Sequence, residues 1–194
     1  MSEEPSRLEW EERHRGRTAG GEPEPFLLEV LSSLPRGGLA LDVAAGRGRH
    51  SLLLAASGFK VIAIDYSWEA MSLLGRTVRE RRLPISPAVW NLDTFSSRDR
   101  TFDLIVNVNY LNRLLFPKLI RSLKPGGALL VDTFLTDQAA IGHPRNPDFL
   151  LKHYELRDLL GGLEIVRYRE GLTVYHDQTR AWRASALAVR KENN

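Results

Sequence analysis

The chain has 194 residues, 43% of them hydrophobic and 26% charged, and no cysteine. Such a chain can build a core of its own as a single domain, and the missing cysteines exclude a disulfide framework, a thiolate zinc site, an iron–sulfur cluster and a cysteine nucleophile. Lys and Arg total 27 against 24 Asp and Glu, a formal charge of +3, and the basic clusters at 13–17 and 76–82 carry no interleaved aromatics, so nucleic acid is not an expected partner.

Residues 1–25 are polar, with Gly20-Gly21 and prolines at 23 and 25, and read as an N-terminal extension or lid rather than core. The opening MSEEPSRLEWEERHRGR has no apolar heart and several acids, so it reads as neither a signal nor a transit peptide. No run reaches the ~18 apolar residues of a membrane span. A cytoplasmic protein without a membrane partner is the expectation. FLLEVLSSL (26–34) has helical apolar spacing and stops at Pro35-Arg36-Gly37-Gly38. LALDV (39–43) is a run suited to a buried strand, and the turn AAGRG leads into a helix over 49–57 ended by Gly58. KVIAI (60–64) is the next buried strand, closed by Asp65, and 67–82 is helical with Ser67 as N-cap. ISPAVW (85–90) is a weaker, edge-like strand, since Pro87 cannot donate to a ladder. FDLIVNVN (102–109) is a strong strand, 111–123 is helical despite Pro117, and LKPGG (123–127) is a break before the strand 128–135. A loop rich in Gly, Pro and Asn (136–147) precedes a helix over 148–160, and strands at 163–170 and 179–191 close the chain.

Strands alternate with helices, and the core strands are continuous apolar runs, which is the pattern of a largely parallel sheet covered on both faces. No helix separates the last two strands. The predicted fold is therefore one α/β domain over residues 1–194: a doubly wound, Rossmann-like three-layer sandwich, with a seven-stranded, mostly parallel sheet ending in a C-terminal antiparallel hairpin.

The most informative segment is LALDVAAGRGRHSLLLAASGFKVIAIDYS (39–67). Gly46 and Gly48 let backbone approach a ligand where a side chain would collide. In open sheets ligands bind outside the carboxyl ends of the strands. Asp65 ends the second strand 19 positions after Gly46, near the spacing at which an acid meets the two ribose hydroxyls. The segment reads as a nucleoside site. Ser51 stands where the dinucleotide fingerprint would have its third glycine, and no GxxxxGK[ST] loop is present; both weigh against NAD and ATP.

Asp42, Gly46 and Gly48 in LDVAAGRGRHS, with Asp65 after KVIAI, resemble the first two motifs of class I S-adenosylmethionine-dependent methyltransferases. NLDTF (91–95), FDLIVNVNYLNR (102–113) and LKPGGALLVDTF (123–134) resemble the later motifs, so the likeness runs over residues 26–135. It implies S-adenosylmethionine as cofactor and S-adenosylhomocysteine as product. It further implies that Asp42 supports the loop around the aminoacyl part of the cofactor, that the Gly46–Gly48 turn holds that part, and that Asp65 holds the ribose. Asp93 would meet the adenine amino group and Tyr66 would lie against the ring. Ala44 stands where the DxGxG pattern has glycine, which keeps the loop tight only if φ there is negative. HPRNPDFLLKHYELRDLL (143–160), LEIVRYREG (163–171) and Trp10-Glu11-Glu12-Arg13 are similar to the tellurite-resistance and thiopurine-methyltransferase-like group, which implies a small-molecule acceptor.

Methyl transfer from a sulfonium is an in-line displacement with an activated leaving group, so the enzyme mainly aligns the partners. A general base is needed only if the acceptor is protonated. The resemblance sets the acceptor site beside the end of the fourth strand, at Asn107, Asn109, Tyr110 and Arg113, which makes Asn107, Tyr110 and Arg113 candidate catalytic residues, with His143 as a pocket residue in a later loop. Asn107 also falls on the cofactor side, because an amide ending an apolar strand needs partners. Trp68 equally fits packing at a helix start, one of Asp132 and Asp137 reads as structural, and Trp10, Arg13 and Arg15 are candidates for a lid over the cofactor carboxylate. His14, His50, His143, His153 and His176 show no metal-ligand spacing, so no metal is expected. Two other readings share the same motifs: an RNA or protein methyltransferase, and a non-catalytic cofactor-binding or scaffold protein. The acceptor atom and the oligomeric state stay open.

Overall fold

The computed structural model describes residues 19–192. Its helices are α1 (Pro25–Val30), α2 (Arg49–Ala56), α3 (Trp68–Arg81), α4 (Phe116–Ser122), α5 (Gln138–Ile141) and α6 (Glu155–Leu159). Its strands are β1 (Gly38–Val43), β2 (Phe59–Asp65), β3 (Ile85–Val89), β4 (Phe102–Val108), β5 (Leu123–Phe134), β6 (Glu164–Val174) and β7 (Arg180–Val189). All seven strands join one sheet in the order β3-β2-β1-β4-β5-β7-β6. The first five run parallel, and β7 pairs antiparallel with both β5 and β6. This is the predicted sheet and hairpin, with β7 inserted between β5 and β6.

Strand side chains alternate between faces, and the sequence fills both faces with apolar groups. On one side Ala40, Val61, Leu104 and Val106 pack against Phe26, Leu27, Leu54 and Leu74 from α1, α2 and α3. On the other, Leu41, Val43, Ile105 and Val131 pack against Leu115, Phe116, Leu119, Leu156 and Leu160. β1 has β2 on one side and β4 on the other. The chain order reverses there, which opens the crevice at the strands' carboxyl ends where open α/β sheets bind ligands.

Several elements differ from the sequence expectation for local reasons. Pro117 sits in the first turn of α4, where a missing N–H costs nothing, and the residues before it form a 3-10 turn capped by Asn112, whose Oδ1 accepts from Leu114 N at 3.0 Å. The helix expected over 148–160 is broken. Pro147–Phe149 is a 3-10 turn, and the buried Leu150 and Leu151 are extended. Leu151 pairs with the end of β5 (Leu151 N to Phe134 O, 2.9 Å; Thr136 N to Leu151 O, 2.9 Å), and only Glu155–Leu159 is helical. LKPGG does not interrupt the fifth strand but opens it, with a register shift against β4. Ser67 caps α3 as expected, accepting from Ala70 N at 3.1 Å. Of the N-terminal extension, Gly20 N donates to Arg47 O at 2.7 Å and Arg49 Nη1 to Glu22 O at 3.1 Å. Trp10, Glu11, Glu12, Arg13, His14 and Arg15 lie outside the described residues.

Candidate functional site

The loop after β1 is built around its glycines. Gly48, the residue before α2, has φ +78°, and a Cβ there would lie 2.5 Å from Leu74 Cδ1. Only glycine fits that close approach of α2 to α3. Ala44 has φ +53°. This corrects the expectation of a negative φ: the residue in the glycine's place holds the left-handed conformation itself, at a cost of roughly 1–2 kcal/mol. Loop and sheet are joined by Ala45 N donating to Ile64 O at 3.0 Å and by Gly46 N donating to Asp65 Oδ2 at 2.8 Å.

Asp65 therefore does structural work before any ligand arrives. Its second oxygen, Oδ1, accepts from Ser67 N at 2.8 Å, so one carboxylate ties the loop after β1 to the start of α3. An ionised carboxylate has about four acceptor sites, and two remain after these bonds. Asp42, 1% exposed, lies beneath the loop, with Oδ2 accepting from Ser51 Oγ at 2.6 Å and Oδ1 without a partner. Burial pushes its pKa up to about 7, against the lowering effect of the Ser51 hydrogen bond. Ser51, read in the sequence only as a missing glycine, is thus the residue that holds Asp42.

Asn107, the last residue but one of β4, faces the opposite side of the sheet. It is fully buried, and neither Oδ1 nor Nδ2 has a partner. Beside it, β1 and β4 are in register through Val43 and Asn107, and β2 and β3 through Asp65 and Val89. The ends of four strands thus lie side by side. Tyr66 and Trp68, just past Asp65, are exposed. Asp93 is exposed in a 3-10 turn, with Oδ1 accepting from Asn112 Nδ2 at 2.9 Å, so the segments after β3 and β4 are also linked. Tyr110 packs on the Val43 face of the core.

Two candidates are placed differently. Arg113 is turned to the segment before α6: it pairs with Glu155 (Nε to Oε1, 2.5 Å) and donates Nη1 to Asp148 O at 3.0 Å and Nη2 to Leu150 O at 2.9 Å. Its guanidinium fastens a segment of chain. His143 is exposed in the loop after α5; its carbonyl accepts from Gln138 Nε2 at 3.0 Å, and its imidazole makes no hydrogen bond among the described residues.

A buried polar cluster stands where the sequence showed only a strand. Arg183 of β7, 2% exposed, donates Nε to Asp132 Oδ1 at 2.5 Å and Nη2 to Asn109 Oδ1 at 2.6 Å. Ser185 Oγ donates to Asp132 Oδ2 at 3.0 Å, and Tyr175 OH to Glu24 Oε1 at 2.7 Å. Glu24 N donates to His50 Nε2 at 3.2 Å, so that nitrogen is unprotonated, and burial pushes the His50 pKa down to about 3. Burial raises Asp132 to about 6, opposed by Arg183. The cluster binds the N-terminal segment to the ends of β4, β5 and β7 and holds Asn109 at φ +60°. A lone arginine within the apolar run AWRASALAV was its one trace in the sequence.

An open sheet of this order, with a glycine turn after β1 and an acid at the end of β2, is a Rossmann-like α/β fold. Residues 40–127 match the family model described as a methyltransferase domain. Over 144 residues the chain is 27% identical to a Haemophilus influenzae protein described as a probable S-adenosyl-L-methionine-dependent methyltransferase, TehB, covering 70% of this chain and 49% of that one. It is 36% identical over 105 residues to the demethylmenaquinone methyltransferase of Clavibacter sepedonicus, covering 50% of this chain and 41% of the relative. The chain spans about half the length of the curated relatives it matches. The crystal structure of TehB from Haemophilus influenzae has the same fold (TM-score 0.75, 20% identity, 87% of this chain and 63% of that one). So does that of the [4+2]-cyclase SpnF (TM-score 0.68, 16% identity, 91% and 87%), which shows that the fold alone does not fix the reaction. Residues 40–127 thus form a methyltransferase domain, and the chain is similar to S-adenosylmethionine-dependent methyltransferases. S-Adenosylmethionine is the cofactor of that family. Among the described residues, no group of three or more His, Asp or Glu is disposed to hold a metal ion, and no helix is long and apolar enough to cross a membrane.

Proposed function

We propose that the protein binds S-adenosylmethionine across the carboxyl ends of β1, β2 and β4 and transfers its methyl group to a small-molecule acceptor, releasing S-adenosylhomocysteine. The observation that carries this reading is Asp65: a carboxylate fixed by two backbone amides, with acceptor capacity left on both oxygens, joined directly to the glycine turn. The residues fit the group. Asp65 accepts from the ribose hydroxyls, Asp93 accepts from the adenine amino group, and Tyr66 lies against the ring. The Gly46–Gly48 turn leaves room for the aminoacyl part, with Ala44 shaping its entry. Asp42, through its unpartnered Oδ1, and Asn107, through its unpartnered amide, supply polar atoms at that end of the sheet. When bound, the sulfonium supplies an activated methyl, so the protein's task is alignment for in-line displacement. Asn107 and Tyr110 form the acceptor side, and His143 belongs to the loop that covers it. Arg113 acts one step removed, by holding Asp148, Leu150 and Glu155 in place.

The described residues are read as one methyltransferase domain, and the described end of the N-terminal extension lies at the glycine turn, where Gly20 N donates to Arg47 O. A small acceptor is favoured by the likeness to a protein named as a demethylmenaquinone methyltransferase. The reaction is assigned to the cytoplasm. The test is transfer of labelled methyl from S-adenosylmethionine to a panel of thiols, selenite, tellurite, amines and phenols. Label in a small product is expected. Label entering only RNA or protein would move the assignment to a macromolecular methyltransferase, and binding without transfer to any acceptor would leave a non-catalytic cofactor-binding protein.

A further inference from the structure

A second cleft lies at the β3 edge of the sheet. It has a volume of about 430 Å³ and is formed between α3 and β3, with Trp68, Met71, Gly75, Arg76, Arg79 and Val89 among its walls. The volume is in the range of small-ligand sites. Its lining has an uncommon combination of properties. Trp68 is 61% exposed and Val89 38%, so a substantial apolar surface faces solvent. Arg76 and Arg79, three positions apart on one helix, stand on the same face, and neither forms a hydrogen bond or ion pair among the described residues. Two neighbouring cations without an acid between them repel each other, and an anion relieves that repulsion.

Gly75 is the second, independent observation. It lies inside α3, where glycine weakens a helix, and nothing in the fold demands it. Its φ is not positive, and an added Cβ would meet only Arg79 Nη1, at 3.5 Å. The missing side chain leaves room beside the Arg79 guanidinium. A second copy of the chain adding to this edge is disfavoured by Pro87, which sits in the middle of β3 and cannot donate to a further strand.

We propose that the α3–β3 cleft is a binding site for a small anion with a flat apolar body, such as an aryl carboxylate, sulfonate or phosphate. The apolar body rests on Trp68, Met71 and Val89, above Gly75. The anionic group sits between the Arg76 and Arg79 guanidiniums. None of the lining residues belongs to the glycine turn, although Val89 pairs with Asp65 at the end of β2. The test uses 8-anilino-1-naphthalenesulfonate as probe, with fluorescence titration of the folded protein. One saturable site is expected, weakened at least tenfold in the Arg76→Gln/Arg79→Gln double variant. Gly75→Leu, which fills that room while keeping both charges, is expected to abolish binding, and saturating S-adenosylhomocysteine is expected to leave it unchanged. Equal affinity in wild type and in both variants, each shown folded by circular dichroism, would overturn the proposal. Displacement of the probe by S-adenosylhomocysteine would overturn it as well.

Discussion

Alanine at Gly48 and alanine at Gly58 separate two costs that usually arrive together. Both glycines have left-handed backbones, with φ +78° and +92°, and a side chain in that region costs roughly 1–2 kcal/mol. At Gly58 an added Cβ meets nothing within 4 Å. Gly58→Ala therefore bears only the backbone cost, less the ~0.4–1 kcal/mol gained from a stiffer unfolded chain. At Gly48 the Cβ would lie 2.5 Å from Leu74 Cδ1, 2.8 Å from Cδ2 and 3.1 Å from Cγ. Leu74 is wholly buried in the core between α2, α3 and the sheet, so it has no free direction in which to yield, and overpacking adds about 1–3 kcal/mol. Taken at mid-range, with the unfolded-chain gain subtracted from both, these terms come to about 3 kcal/mol for Gly48→Ala and about 1 kcal/mol for Gly58→Ala. At this chain length each kcal/mol moves Tm by roughly 2–4 °C. Thermal unfolding followed by circular dichroism should show a fall of about 5–15 °C for Gly48→Ala and no more than about 5 °C for Gly58→Ala. Equal shifts in the two variants would refute the account, because Gly48 would then serve the backbone alone and not the contact between helices.

The other predictions use the same readout. Ala44→Gly removes the left-handed strain at φ +53° and should raise Tm by a few degrees, since about 1–2 kcal/mol is relieved against a smaller entropic loss; a fall would show that the alanine methyl is needed there. Asp42→Asn should leave stability near wild type at pH 4 and exceed it increasingly towards pH 8. Burial raises the folded pKa from 3.8 to about 7, so the wild type loses stability as pH rises through that range; a gap that does not change with pH would contradict the buried, singly bonded carboxyl. His153 has Nδ1 2.6 Å from Glu170 Oε1 and Nε2 2.8 Å from Asp137 Oδ2, so both nitrogens donate and the ring is cationic. The Asp137 bond leads in raising its pKa. The stabilisation is therefore complete below the unfolded value near 6.5 and lost as pH rises through the folded value. His153→Gln should destabilise the protein at pH 6 and match wild type by pH 9, and a constant difference would refute the bridge.

What was legible in the sequence was what is local. β1, β2 and β4 appear as unbroken apolar runs because both of their faces are covered, and the glycine turn and Asp65 appear because their spacing spans one strand–helix–strand unit. The segment 148–160 was misread because apolar leucines at helical spacing look the same whether a helix buries them or an extended stretch does. Leu150 and Leu151 are drawn into the core by pairing with the end of β5, a partner that periodicity does not reveal. Arg113 shows the same limit: its acid, Glu155, and the carbonyls it binds lie in a distant part of the chain. The Glu24, Tyr175, Arg183 and Asp132 cluster joins four segments, so beyond a lone arginine in an apolar run it leaves no local pattern. Ala44 was readable as a departure from the family pattern, but its φ became visible only with the loop built.

The central claim is that Asp65 anchors an adenosyl ligand at the glycine turn. Calorimetric titration of S-adenosylhomocysteine into the wild type and Asp65→Ala, with NAD and ATP as controls, tests it directly. One saturable site is expected in the wild type, weakened at least tenfold in the variant, which corresponds to about 1.4 kcal/mol or more, and neither control should bind comparably. Absence of binding to the wild type, or equal affinity in a folded Asp65→Ala protein, would contradict the account.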